Sequence, residues 1–132
     1  MDTIFASTTQ MAAAIQVREI SAVELLDAHL AQIEKQNPAL NAIVTLNADE
    51  ARKRARAADV ALARGECWGA LHGVPFTLKD AFATAGMRTT TGFPRLVDWR
   101  ATGEQALGRG AIVSDGASSL PGHWFVPPTA RL

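Results

Sequence analysis

Side chains alternate in character from Val74 to Lys79, and this alternation limits the segment to an extended backbone. The apolar residues Val74, Phe76 and Leu78 occupy every second position, and Lys79 follows on the other face. A period of two predicts a strand with one apolar face. Gly73, immediately before it, permits a tight turn or a close approach of another segment.

A lysine on such a strand has two interpretations. Most lysines are solvated or salt-bridged, and this is the ordinary interpretation of Lys79. The alternative is a buried lysine, because desolvation favours the neutral amine and lets it accept a proton at neutral pH. Asp80 is predicted to point to the opposite side, so the two charges need not neutralise each other. The strand pattern alone leaves both interpretations open.

The sequence around Lys79 adds several features at fixed spacing. A Gly-Val-Pro-Phe block occupies 73–76, a Lys-Asp pair occupies 79–80, Gly86 follows, and Thr-Thr-Thr-Gly occupies 89–92. This pattern resembles the first signature block of the amidase signature family, whose members cleave carbon–nitrogen amide bonds with a Ser–cis-Ser–Lys triad. In that family the lysine after the Gly-Val-Pro-Phe block is the base of the triad. The resemblance therefore implies that Lys79 is the catalytic base.

Three further residues are candidates for shaping a substrate cleft, namely Gly73, Thr90 and Gly92. Hydroxyls and backbone amides of a polar loop can hold a substrate amide. Threonines also suit strands and loops without any ligand, and the composition does not decide between the two interpretations.

Charge and hydropathy argue against nucleic-acid and membrane partners. The chain of 132 residues has a formal net charge of zero, so it has no broad field for either partner. The basic residues of a predicted helix near residues 52–64 spread round that helix without interleaved aromatics, which favours a solvated surface over an RNA-binding face. No apolar run approaches the roughly 20 residues that span a bilayer. The first residues lack the pattern of a signal peptide, so we expect a cytoplasmic protein.

Neither a metal site nor a cofactor is expected. Cys67 is the only cysteine, and His29, His72 and His123 are scattered without ligand spacing. Cys67 also has no base that we can assign to it, so we interpret it as incidental and not as a nucleophile. The family that the sequence resembles hydrolyses amides without a metal or a cofactor.

Capping signals divide the first half of the chain into helices and a short strand. Ser21 and Glu24 form a Ser-x-x-Glu capping box, Pro38 is expected to end the helix that follows, and Asn47 offers a cap for the next helix. The predicted elements are helices over Gln10–Arg18, Ala22–Gln36 and Ala48–Arg64 and a strand over Ala42–Leu46. Together with the resemblance, they imply an α/β fold: amino-terminal helices plus the first strands of the mixed-sheet amidase signature fold, incomplete.

The resemblance extends from about Thr8 to Trp99. We therefore predict that residues 1–99 are the amino-terminal part of an amidase domain and that residues 100–132 are an irregular tail that does not resemble the family. Frequent glycine and proline leave only Gly110–Val113 as a candidate element in this tail. The family continues with a Gly-Ser-rich loop that supplies both triad serines, and Gly116–Ser119 does not fit it. The sequence thus predicts a truncated amidase, inactive as it stands.

Two rival functions remain at this point. One is a fragment of the glutamine-hydrolysing subunit of the tRNA-dependent amidotransferase, which belongs to the same family and works with partner subunits. The other is a non-catalytic interaction module whose second and third helices pack on another chain. The intact family acts on small-molecule amide substrates, and unpaired strand edges in this chain predict self-association.

Overall fold

Helices precede most of the strands in the computed structural model, which describes residues 3–102, 111–117 and 120–126. In chain order the elements are α1 (Thr8–Gln16), α2 (Ala22–Leu40), β1 (Thr45–Leu46), α3 (Ala48–Ala63), β2 (Thr77–Lys79), a 3-10 turn (Pro94–Leu96), β3 (Ala111–Ala117) and β4 (Leu120–Val126). A helical layer followed by strands of a mixed sheet confirms the predicted α/β class. The fold covers part of a domain, as expected.

Capping boxes begin the first two helices. The Ser7 hydroxyl accepts the Gln10 N–H at 3.2 Å, and the Ser21 hydroxyl accepts the Glu24 N–H at 3.1 Å. The Glu24 carboxylate accepts the Ser21 N–H at 2.9 Å, and this bond, followed by one from the Ser21 hydroxyl, lowers the pKa of Glu24. Because the lowered pKa favours the charged carboxylate, the α2 capping box weakens only as the pH falls through that lowered value.

A second carboxylate secures the start of α2 from a distance. Asp59, on α3, accepts the backbone N–H of Ala22 at 2.7 Å and that of Val23 at 3.2 Å. The first N–H groups of a helix have no partner within the helix, and an anion at this end also complements the helix dipole. Asp59 therefore fixes the place at which α3 crosses the amino terminus of α2.

Our prediction that Pro38 ends α2 was wrong. The helix continues through Pro38 to Leu40, and Asn41 follows in the left-handed conformation with φ +47°. A proline in the last turn removes only one backbone donor, and Asn41 closes the turn by donating its N–H to Asn37 O at 2.7 Å.

The strand that we predicted over Ala42–Leu46 is shorter in the structure, because side chains bind backbone groups at its amino-terminal side. Asn37 uses its side chain to bind both backbone groups of Ile43, accepting the N–H at 2.7 Å and donating to the carbonyl at 3.0 Å. The Val44 carbonyl accepts Arg88 Nη2 at 3.0 Å. These side chains occupy backbone groups that a longer β1 would need for its ladder, so only Thr45–Leu46 pairs in the sheet.

Two seven-residue strands lie in the region that we predicted to be an irregular tail. β3 and β4 run antiparallel, with Ala111 opposite Val126 and Gly116 opposite Pro121. Glycine and proline have a low strand propensity, which had argued against a strand, and Pro121 stands next to the first residue of β4, where its missing N–H removes one donor from the ladder. The prediction of an irregular tail was therefore wrong for these strands, whereas the boundary near residue 99 stays a prediction. Ser118 and Ser119 lie outside the described residues.

The sheet connects the two parts of the chain. Its order is β1-β3-β2-β4, with an additional pairing between β3 and β4. β1 pairs antiparallel with β3, and β2 pairs antiparallel with β4, where Lys79 is opposite Gly122. In the described part of the chain, no helix is long and apolar enough to cross a membrane.

The main core lies between the three helices and the residues that lead into β2. Its largest fully buried apolar side chains are those of Ile15, Leu25 and Leu26. The backbone of Gly73 enters this core so closely that a Cβ there would lie 2.8 Å from Ala22 Cβ and 3.3 Å from Ile15 Cδ1. Gly73 also has φ +75°, a conformation that glycine adopts without strain.

We predict that Gly73→Ala unfolds the chain more readily than Gly86→Ala, although both replace a glycine of almost equal φ. Gly86 has φ +76° and no atom within 4 Å of its hypothetical Cβ, so its variant isolates the cost of the backbone conformation. The clash at Gly73 should add about 1–3 kcal/mol to that cost. Urea unfolding followed by circular dichroism measures both losses. An equal loss of unfolding free energy in the two variants would show that Ala22 and Ile15 move aside at no cost in stability.

Candidate functional site

Lys79 is the last residue of β2, and its side chain is exposed. Leu78 before it and Asp80 after it are both buried, so the alternation that the sequence predicts is present. The exposed position corresponds to the ordinary interpretation of this lysine, not to the buried amine. Within the described residues, no element packs over the Lys79 side chain closely enough to bury it.

Asp80, the residue after Lys79, is buried and polar. No role was predicted for it from the sequence. Its carboxylate is 0% exposed. Thr90 donates its backbone N–H to both carboxylate oxygens, at 3.0 and 2.9 Å, and its hydroxyl to Oδ2 at 2.5 Å. Thr91 adds its N–H to Oδ2 at 2.9 Å. Strand alternation next to an exposed lysine, with a threonine run ten residues later, was the signal available in the sequence.

The loop that carries two of the predicted cleft residues is shaped by this carboxylate. Thr91 has φ +54° and Gly92 has φ +71°, and the Gly92 N–H donates to the Thr90 hydroxyl at 3.2 Å. The donors of Thr90 are therefore engaged within the chain and are not turned towards a ligand. A cleft role for Thr90 and Gly92 stays a prediction.

Gly73 lies apart from this loop, because its backbone packs against α1 and α2 in the core. The contact with Ala22 accounts for a glycine at this position without a substrate. Among the four predicted site residues, the structure thus brings Lys79, Thr90 and Gly92 into one region through Asp80, and it gives Gly73 a packing role.

Three of the basic residues of α3 have partners within the protein. Arg52 forms an ion pair with Asp27 at 2.7 Å, and Lys53 forms one with Glu50 at 2.5 Å. The Arg54 guanidinium lies 4.0 Å from the centre of the Trp68 ring, and partial burial lowers its pKa from the ordinary arginine value. These contacts explain three of the helix's cations without a nucleic acid.

A buried histidine supports the same corner of the fold. His72 is 1% exposed, and its Nδ1 accepts the Trp68 N–H at 3.0 Å. Nε2 lies 3.0 Å from the Ala58 carbonyl, which fixes the proton on Nε2 and makes it the donor. Both ring nitrogens thus bind the backbone, so His72 holds the loop before Gly73 against α3. Across the described residues, no three His, Cys, Asp or Glu side chains cluster as metal ligands.

A groove of about 800 Å³ lies away from Lys79, between α2, β1 and the start of α3. Leu30 and Ile33 of α2 and Leu46 of β1 line it, and Asp27, Glu34 and Arg52 add charged groups. Its position makes it a surface of the two helices that the interaction-module hypothesis invokes.

Comparison with known proteins identifies the lineage of the chain. The family model described as Amidase matches residues 24–107, which include all of β2 and the Asp80-bound loop. The chain belongs to the amidase family. This finding confirms the resemblance that the sequence suggested.

Relatives and solved structures agree with the family match. The chain is similar to a Glutamyl-tRNA(Gln) amidotransferase subunit of Methylococcus capsulatus, with 48% identity over 67% of this chain and 18% of the relative. The corresponding subunit of Granulibacter bethesdensis is 44% identical over 75% of this chain and 21% of the relative. A bacterial aryl acylamidase of the amidase signature family superimposes with a TM-score of 0.70 and 34% identity, over 74% of this chain and 20% of that one. The chain thus spans about a fifth of the length of these proteins.

We predict that Lys79→Ala changes the free energy of unfolding by less than about 0.5 kcal/mol, because the side chain is exposed. The neighbouring Leu78→Ala, at a buried position of the same strand, should cost about 2–4 kcal/mol. Urea unfolding of the two variants gives the comparison. A loss at Lys79 as large as that at Leu78 would mean that the lysine packs against the fold.

Proposed function

We propose that this chain supplies the lysine base of an amide-hydrolysing site and that Lys79 is that base. The observation that carries the proposal is the family match over residues 24–107, which contains the Gly-Val-Pro-Phe block and Lys79 at the end of β2. The reaction is the hydrolysis of an amide to an acid and an amine, and it requires neither a metal nor a cofactor.

The mechanism needs three groups, of which we assign one to this chain. A neutral Lys79 takes a proton from a serine through the second serine of the triad, and the resulting alkoxide attacks the amide carbon. Backbone donors then stabilise the oxyanion, the proton passes back through the serine to the amide nitrogen, and the amine leaves as the C–N bond breaks. Water then hydrolyses the acyl-enzyme to the acid and the free serine. The serine nucleophile and the cis-serine are assigned to a part of the family fold that this chain does not match. The 132 residues alone should therefore show little or no turnover.

The exposure of Lys79 agrees with this division of roles. A lysine amine becomes a base when it is removed from water, because desolvation disfavours its charged form. In the proposed enzyme, the remainder of the amidase domain covers the open face of β2 and excludes water from Lys79. Gly92, in the loop that Asp80 holds, and Thr90 beside it are the residues proposed to border the substrate.

The direct test grafts residues 24–107 of this chain into the bacterial aryl acylamidase in place of its matched segment. We expect the graft to hydrolyse an aryl amide, and we expect Lys79→Ala in the graft to lower kcat about 10²–10⁴-fold, the usual contribution of general acid–base catalysis. Lys53→Ala is the matched control, because that lysine pairs with Glu50 on α3.

Undiminished hydrolysis in the Lys79→Ala graft would remove Lys79 from the mechanism. An equal loss in the Lys53→Ala graft would show that the effect is one of folding. The isolated chain is assayed beside the grafts on simple aliphatic and aromatic amides, and turnover by the chain alone would contradict the division of roles.

A second candidate is a part of a glutamyl-tRNA(Gln) amidotransferase. The observation that favours it is the 48% identity to the Methylococcus capsulatus protein, compared with 34% to the aryl acylamidase. In this case the amide is that of glutamine, and other subunits are partners. The same graft placed in the Methylococcus capsulatus protein should support amide transfer to glutamyl-tRNA(Gln), with the same dependence on Lys79.

A non-catalytic module remains the third candidate, and the groove between α2, β1 and α3 favours it. Sizing chromatography with light scattering tests it, since a defined stoichiometric complex supports a module and a heterogeneous aggregate supports self-association through strand edges. A cytoplasmic location and a small-molecule amide substrate stay predictions from the sequence.

A further inference from the structure

The hydrogen bonds of Asp80 join the strand that carries Lys79 to a loop ten residues further along the chain. We propose that Asp80 is a positioning residue of the amide-hydrolysing site: its carboxylate holds Thr90 and Thr91 against the end of β2 and thereby fixes the loop beside Lys79. This inference rests on the proposed function of Lys79 as the base. Asp80 itself is buried and does not touch the substrate.

The contacts of the Asp80 side chain are hydrogen bonds that it accepts, as a carboxylate requires. The donors that converge on Asp80 include the N–H groups of Thr90 and Thr91 and the Thr90 hydroxyl, all within 3.0 Å of a carboxylate oxygen. Bonds to an ionised acceptor are shorter and stronger than neutral ones. The loop is therefore held to the residue that follows β2 through the N–H groups of Thr90 and Thr91 and the Thr90 hydroxyl.

The loop conformation shows how strongly this contact is determined. Thr91 is β-branched, yet it has φ +54°, a conformation that costs free energy for such a residue. The strained turn places the Thr91 N–H on Asp80 Oδ2 at 2.9 Å and the Gly92 N–H on the Thr90 hydroxyl. The strained conformation of Thr91 therefore accompanies a hydrogen bond to the buried carboxylate.

The end of β2 is held from both of its sides. The Lys79 carbonyl accepts the Phe82 N–H at 2.9 Å, and the Asp80 side chain binds the loop. Asp80 is joined to Lys79 by one peptide bond, in the turn that follows β2, so a fixed Asp80 limits the positions that the Lys79 backbone can adopt. Asp80 thus acts on the base through the chain and on the cleft border through Thr90.

The 132-residue chain offers a direct spectroscopic test, because its lysines are Lys35, Lys53 and Lys79. With ¹³C-labelled lysine, each side chain gives a Cε–Hε resonance that a Lys→Arg variant assigns. In Asp80→Asn, one acceptor oxygen becomes a donor amide that faces N–H groups. We expect the Lys79 resonance to move while those of Lys35 and Lys53 stay in place. We also expect the Thr90 and Thr91 amides to exchange with solvent about tenfold faster or more.

Asp98→Asn is the matched control, since Asp98 is an exposed acid of the same segment. It should leave all three lysine resonances and both amide exchange rates unchanged. An unmoved Lys79 resonance in Asp80→Asn, with faster exchange at Thr90 and Thr91, would reduce Asp80 to a structural residue and overturn the proposal.

If Asp80→Asn does not fold, two variants of Thr90 test the proposal instead. Thr90→Ser keeps the hydroxyl and should retain the wild-type Lys79 resonance, whereas Thr90→Val removes it and should displace the resonance. Identical spectra for the pair would contradict the proposal. None of these measurements needs turnover. They test the positioning role of Asp80, whereas the grafts test the role of Lys79 as a base, so the two proposals can fail independently.

Discussion

A carboxylate with no solvent exposure requires hydrogen-bond donors, and the residues around Lys79 are arranged to meet this requirement. Leaving an ionised group buried without partners costs several kcal/mol, by general estimates for charges in proteins. Asp80 obtains its donors from Thr90 and Thr91, which closes residues 80–90 into a loop. Gly86 N–H to Ala101 O at 2.9 Å and Thr89 N–H to Trp99 O at 3.3 Å extend the closure along the chain. The candidate site thus depends on one buried acid.

The other end of β2 is set by packing and not by charge. Gly73 approaches Ala22 so closely that only a residue without a side chain fits between the helices and the strand. Ala22 in turn stands at the start of α2, where Asp59 binds its N–H. The helical layer therefore determines where the path to β2 begins, and Asp80 determines where it ends. Lys79 lies between these two fixed points on a strand of three residues.

Local patterns predicted the helices well, because caps and apolar stripes are properties of neighbouring residues. The Ser21–Glu24 box begins α2 as expected, and Gly65 follows α3 with φ +82°. Asn47, however, precedes α3 without forming a side-chain cap. The continuation of α2 through Pro38 was missed because a proline in the last turn removes only one backbone donor, and Asn41 then ends the helix in the left-handed conformation.

The site was predicted only in part, for a related physical reason. Alternation placed Leu78 and Lys79 on opposite faces of the strand, and the motif selected the lysine. The roles of Asp80 and Gly73 arise from contacts with residues ten and fifty-one positions away in the sequence, and such pairings are set by the tertiary fold. The strands β3 and β4 were missed because the glycines and the proline within them have a low strand propensity.

Exposed apolar side chains in the segment from Phe82 to Trp99 indicate what the proposed chemistry still requires. Phe82, Phe93 and Trp99 are 48%, 53% and 44% exposed, and each belongs to the segment that hydrogen bonds tie to Asp80 or its neighbours. Large apolar groups at such exposure are unfavourable in water and favour burial against another surface. A lysine base needs the same burial, since desolvation is what makes its amine neutral. A single surface from the part of the family fold that this chain does not span would bury the apolar side chains and also remove water from the lysine.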